Sequence, residues 1–168
     1  MSATTLAETQ ATFRADPTAA KGAPAVTASL VNGHARLSSG SFNWDADLPV
    51  SLGGENLAPS PTAYLLGALA GCAVAFLHDT LAPLFDVAID DATAVARCST
   101  DARGLLGIDG VAPDLADIEL EIRVASTSPK ANVDAMFAAW RERCPIYLAL
   151  IKVQSVALTA TVQEGAAA

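Results

Sequence analysis

Gly53 to Phe85, GGENLAPSPTAYLLGALAGCAVAFLHDTLAPLF, holds the longest apolar run of the chain and decides how the rest must fold. Ser60-Pro61 opens a helix: the serine hydroxyl accepts from the first unpaired N–H groups, and a proline at the first helical position needs no N–H of its own. Pro83 is the stop signal, because it cannot donate to the preceding turn. The helix between them is apolar nearly all round, with one thiol, Cys72, near its middle. Such a helix must be wrapped by other structure. Its uninterrupted run, Ala63 to Leu77, is shorter than the about 20 residues of a membrane span, and His78 and Asp79 then break it. Small residues (Gly67, Ala68, Ala70, Gly71, Ala73, Ala75) crowd one side and permit close approach of a partner helix. The stretch reads as a buried core helix, not a membrane segment.

The surrounding composition agrees. The 168 residues suit one domain with a real core. The hydrophobic fraction is 52% and the charged fraction 17%, a balance that predicts a second subunit covering part of the surface. A net charge of −8 without any Lys/Arg cluster argues against nucleic acid. No charged-then-apolar leader pattern opens the chain, so a cytoplasmic protein is expected. Three cysteines do not make a disulfide framework, and with two histidines and no paired Cys/His spacing no metal site is expected.

Outward from the helix, residues 1–24 read as an N-terminal arm, a short helix or a loose segment broken at Asp16-Pro17, and residues 25–168 as a single domain. Ala25 to Leu30 and His34 to Leu37 are strands joined by an Asn32-Gly33 turn. Ser41 to Asp47 alternates, with Phe42 and Trp44 on one face, and makes a third strand. Val87 to Cys98 is a strand with a bulge or an edge at Asp90-Asp91. A Gly/Asp/Pro-rich connection with an apolar island, Leu105-Leu106, leads to Ile118 to Ala125, whose strict alternation marks a half-buried strand. Ser128-Pro129 repeats the helix-start signal, and Val133, Met136, Phe137 and Trp140 form the buried stripe of a second helix ending near Arg143. Cys144-Pro145 is a break, Ile146 to Ile151 a further helical turn, and Val153 to Val162 a final strand. The order βββ-α-ββ-α-β predicts an α+β fold, two long helices on a mostly antiparallel sheet.

On three segments the chain resembles the OsmC/Ohr family, the osmotically induced protein C and organic hydroperoxide resistance proteins. These are LGGENLAPSPTAYLLGALAGC (Leu52 to Cys72), RGLLGID followed by DIELEIRV, and RERCPIYLAL (Arg141 to Leu150). The wording PSPxxYLLxALAGC is nearer to the broader OsmC-like branch than to the hydroperoxide reductases. The resemblance implies an intertwined homodimer with both long helices at its centre and two active sites at the subunit interface. It also implies a thiol-dependent peroxidase in oxidative-stress defence, with Cys72 attacking an organic hydroperoxide and Cys144 resolving the product. An external dithiol reductant is then expected, and no cofactor.

Chemistry sets further demands. The attacking sulfur must be a thiolate, so a cation or hydrogen-bond donors must lower its pKa. An apolar pocket around Cys72 favours organic hydroperoxides over hydrogen peroxide. The family's reductases use an arginine of the early strands for the thiolate, and Arg36 is the nearest match, with His34 competing. They also carry a glutamate in the first turn of the thiol helix, where this chain has Thr62; Glu55 in the preceding loop is the candidate substitute. The departure at Thr62 keeps open a second function on the same scaffold: a small-molecule binding or redox-sensing protein with weak or no peroxidase activity. Against these stand plainer readings. Cysteine is often mere packing, which is the reading for Cys98. Trp44 and Trp140 read as core or pocket wall, and His78 lies on a different helix face from Cys72.

Overall fold

The structure is a computed structural model that describes residues 3–152 and 155–162. Helix α1 (Ala3–Ala15) ends at Asp16, whose carboxylate accepts from the Thr18 N–H at 2.9 Å and starts a 3-10 turn, Pro17–Ala20. A three-stranded antiparallel meander follows: β1 (Thr27–Val31), β2 (His34–Ser39) and β3 (Phe42–Ala46). Asn32 and Gly33 turn the first hairpin at φ 50° and 88°, the left-handed pair that a two-residue hairpin turn requires. After a loop comes α2 (Pro61–Phe76), which continues through a π turn, Leu77–Leu81, into a last helical turn, α3 (Ala82–Leu84). β4 (Asp91–Ser99), the single turn α4 (Ala102–Leu105) and β5 (Ala116–Ala125) lead to α5 (Lys130–Arg143) and α6 (Pro145–Ile151). β4 and β5 form a separate antiparallel pair.

The start of α2 is as the sequence reads: the Ala63 N–H donates to Ser60 Oγ at 3.2 Å with Pro61 in the first turn. The end differs. The helix does not stop before Pro83 but carries it in its last turn and ends at Leu84, and Pro61–Leu84 is long and apolar enough to cross a membrane by length and composition. The π turn makes the extension possible. There the Ala82 N–H reaches back to the Leu77 carbonyl, so Pro83 enters a turn whose bonding has already been rearranged.

The core forms where α2 meets α5, the β4–β5 pair and the joint between α5 and α6. Leu77, Leu81, Met136 and Cys144 are completely buried there, with Ala73, Ala139 and Trp140 around them. Small inner-face residues of β4, Ala92, Ala94 and Ala96, alternate with exposed ones as α2 lies against them. The buried stripe predicted for α5 is present in Met136 and Trp140, with Val133 and Phe137 packed partly buried beside them.

Three sequence expectations are corrected. Ser128 does not cap α5, because its hydroxyl instead accepts from the Ala88 N–H at 2.8 Å and ties the start of α5 to the strand region before β4. Val87 and Ile89 belong to the turn into β4 rather than to the strand. The Val87 N–H donates to the Ala82 carbonyl and so continues the helix end. The final strand, Val153 to Val162, falls partly outside the described residues. Residues 155–162 are exposed and pair with no strand among the described residues.

Two apolar surfaces stay uncovered. The β1–β3 meander gathers Ala28, Leu30, Ala35, Leu37, Phe42, Trp44 and Ala46 on one face by register. Yet Leu30 is 81% and Phe42 73% exposed. Along α2, Ala63, Gly67, Gly71 and Ala75 form an exposed small-residue ridge at intervals of one turn, and a Cβ at either glycine would meet nothing. The core prediction is direct: Leu77→Ala removes a fully buried side chain and is expected to cost about 2–5 kcal/mol in denaturant unfolding.

Candidate active site

Cys72 and Cys144 come together across the core, their sulfurs 3.3 Å apart. Cys72 rides on α2 and is partly exposed, whereas Cys144 is fully buried. Cys144 is the joint between α5 and α6. Its N–H donates to the Trp140 carbonyl at 2.9 Å and its own carbonyl accepts from Leu148 at 3.0 Å. Pro145 makes that joint sharp, since it opens α6 without an N–H to continue α5. Cys98 sits half-buried on β4 at the irregularity between Arg97 and Ser99.

The electrostatics of the pair are informative. Burial, then the neighbouring Cys144, pushes the Cys72 thiol up to about 11, opposed by a hydrogen bond from the Ile146 N–H at the start of α6. Ionising Cys72 is thus opposed both by burial and by the thiol beside it. Among the described residues Cys72 therefore has a hydrogen-bond donor but no cation acting on it.

The other predicted residues lie on the meander and its loop. Arg36 on β2 is directly opposite Asp45 on β3 and grips it with two hydrogen bonds, from Nε and, at 3.1 Å, from Nη2. Asp45 was not singled out in the sequence, although the hairpin register across Ser39 and Phe42 pairs it with Arg36. The Asp45 carbonyl also accepts from the phenol of Tyr64, which fastens β3 to the first turns of α2. Glu55 sits in the loop between β3 and α2, where its N–H donates to the Asp47 carboxylate at 3.1 Å. His34 contributes favourably to the charge around Asp47.

Asp47 organises that loop. It is the charged side chain buried among the described residues, and it accepts from the N–H groups of Leu48 at 2.7 Å, Glu55 at 3.1 Å and Leu57 at 3.0 Å. The loop closes so tightly that a Cβ on Gly54 would fall 2.0 Å from the Leu48 carbonyl oxygen. A cavity of about 480 Å³ lies next to the thiol pair without including either sulfur, bounded by Leu69, Trp140, Tyr147 and the inner face of β5.

The family profile described as OsmC-like protein matches residues 53–159, from the glycine pair before α2 to the extended tail. The chain belongs to the OsmC-like family. Solved structures share its fold. An OsmC-like protein from Mycoplasma pneumoniae is 20% identical, with a TM-score of 0.64 over 77% of this chain and 88% of that one. An organic hydroperoxide resistance protein OsmC from Legionella pneumophila is 17% identical, with a TM-score of 0.54 over 77% and 90%. An organic hydroperoxide resistance protein from Elizabethkingia anophelis is 17% identical, with a TM-score of 0.57 over 78% and 89%. No curated protein matches the sequence. The α+β, OsmC-like architecture expected from the sequence is thus the architecture found.

Asp47 yields a pH prediction for this OsmC-like chain. The Leu57 N–H above all, with those of Leu48 and Glu55 and the charge of His34, holds its carboxyl below the ordinary range against the opposing effect of burial. A group depressed on folding adds stability above its unfolded value of about 3.9, and that contribution is lost as pH falls through the folded value. Asp47→Asn is expected to lower the thermal midpoint at pH 7 and to flatten its fall between pH 5 and 3; equal acid slopes for both proteins would contradict this.

Proposed function

We propose that this OsmC-like protein is a thiol peroxidase that reduces organic hydroperoxides, and the 3.3 Å separation of Cys72 and Cys144 carries the reading. The Cys72 thiolate attacks one peroxide oxygen, the O–O bond breaks, and the other oxygen leaves as the alcohol after taking a proton. Cys72 is then a sulfenic acid. The Cys144 sulfur attacks Cys72, water leaves, and a disulfide joins α2 to the α5–α6 joint. Bonding distance for two sulfurs is about 2.05 Å, a short closure from the present contact. An external dithiol returns the pair to thiols by exchange, and no cofactor is required.

The high pKa of Cys72 in the single chain supports an activating group from elsewhere. We assign that role to Arg36. Asp45 occupies the Nε and Nη2 edge of its guanidinium, leaving Nη1 to face a thiolate or a peroxide oxygen. In this reading Asp45 supplies the carboxylate that the first turn of α2 lacks at Thr62, and Glu55, held by the Asp47 loop, lies nearby in sequence as a secondary contributor. The uncovered surfaces support a homodimer, in which the small-residue ridge of α2 would accept a second α2 at close range and the apolar face of the meander would cover the partner. The active sites then lie at the subunit interface, and the expected setting is the cytoplasm, where dithiols are abundant.

The test is consumption of cumene hydroperoxide with dihydrolipoamide as reductant. Cys72→Ser is expected to abolish turnover, Cys144→Ser to stall after one equivalent, and Arg36→Ala to lower kcat/KM at least tenfold. A wild-type protein that consumes no peroxide would defeat the enzyme reading. Sedimentation of Gly67→Leu tests the interface: a bulky side chain on the ridge is expected to shift the protein towards monomer.

A further inference from the structure

We propose that Tyr64 is a positioning residue for Arg36: acting through Asp45, its phenol fixes the guanidinium relative to α2, the helix that carries Cys72. The inference deepens the peroxidase reading and rests on its assignment of Arg36 to the thiol.

Three observations carry it. The first is that α2 and Arg36 meet on one residue. The half-buried Tyr64 donates its phenol proton to the Asp45 carbonyl, and the Asp45 carboxylate accepts from Arg36 Nε and, at 3.1 Å, from Nη2. The second is spacing. Tyr64, Ala68 and Cys72 recur at i, i+4 and i+8 and so follow one face of α2. Tyr64 is already inside the hydrogen-bonded helix, since its N–H donates to the Ser60 carbonyl at 3.1 Å. The helix therefore ties phenol and thiol together as one body. The third is what the ion pair leaves undone. The Arg36 and Asp45 side chains are 48% and 37% exposed and stand opposite each other on β2 and β3. A surface pair of this kind joins two strands of the meander to each other, weakly, and does not tie them to α2. The strands β1–β3 likewise pair with one another. The Asp47 loop fastens the chain beyond β3, whereas Tyr64 fastens the residue that grips the arginine.

The consequence for the thiol follows from the range of the interaction. A cation favours a thiolate only while it is held within about 4–6 Å of the sulfur. A meander free to shift against α2 would spread the guanidinium over many positions and dilute that effect. Because α2 is also the element proposed to pack on its own copy, a meander fixed to α2 is fixed relative to the partner's thiol as well. Removing the Tyr64 hydroxyl leaves Arg36, Asp45, both thiols and the Ile146 N–H chemically unchanged. A change at Cys72 in that variant then arises from position alone.

The experiment is a cycle on the full chain: wild type, Tyr64→Phe, Arg36→Ala and the double variant. The rate of iodoacetamide alkylation at Cys72, read by peptide mass spectrometry, is followed against pH. Turnover of cumene hydroperoxide with dihydrolipoamide is measured beside it. Tyr64→Phe is expected to move the alkylation midpoint up by about half a pH unit and to lower kcat/KM roughly threefold. In the Arg36→Ala background the same change is expected to do nothing further, because its route to the thiol is gone. The proposal is overturned by an unmoved midpoint in Tyr64→Phe. It is also overturned by a shift of equal size with and without Arg36, which would mark the phenol as a general tether. An Arg36→Ala protein with the wild-type midpoint overturns it together with the assignment of Arg36. A protein that consumes no peroxide yet shows the non-additive shift loses the peroxidase reading and keeps the positioning role of Tyr64.

Discussion

The structure depends on one constraint, the need to cover a long helix that is apolar on nearly every side. The β4–β5 pair, α5 and the α5–α6 joint cover one side of α2, and Leu77 and Leu81 disappear into that contact. The opposite ridge of alanines and glycines stays open because none of the described residues reaches it. The meander, whose apolar face leaves Leu30 and Phe42 exposed, is joined to the rest through the Asp47 loop and the Tyr64 phenol. Apolar area left in water forfeits about 25 cal/mol per Å², so two such surfaces on one small chain are a strong drive to association.

Placing the thiols on this arrangement has a chemical consequence. Burial brings Cys72 and Cys144 within reach of each other but also favours their neutral forms. The same packing that makes resolution easy makes attack hard. In the proposed mechanism the cation has to come from elsewhere, and Arg36, which Asp45 grips on a separate sheet, is the residue assigned that role. Chemistry divided between two bodies in this way is sensitive to their assembly.

What could be read from the sequence was local. Ser60-Pro61 announces the start of α2 because a hydroxyl and a missing N–H solve the helix-terminus problem within four residues. Asn32-Gly33 announces its hairpin because few other residues accept positive φ. The alternation of Leu120, Ile122 and Val124 and the spacing of Met136 and Trp140 mark faces that are turned inward, whereas Ile118 at the head of the same face stays exposed. Ser128-Pro129 has the same local wording as Ser60-Pro61 but a different outcome, since a distant N–H, that of Ala88, claimed the hydroxyl first. The tail from residue 155 has strand composition but forms no strand among the described residues.

The candidate site shows the same division. The sequence by itself determined which residues carry reactive groups and which helices hold them, because capping, periodicity and the Cys-Pro break are short-range properties of neighbouring side chains. Cys72 and Cys144 stood out on those grounds and on their resemblance to a known pattern. Only the tertiary structure decided that their sulfurs touch, that Arg36 is gripped by Asp45, that Asp47 gathers three backbone N–H groups, and that a cavity opens between Leu69 and the Trp140–Tyr147 pair. Each of these depends on a distance between residues far apart in the chain, and such distances are set by how α2 is buried, not by any pattern along it.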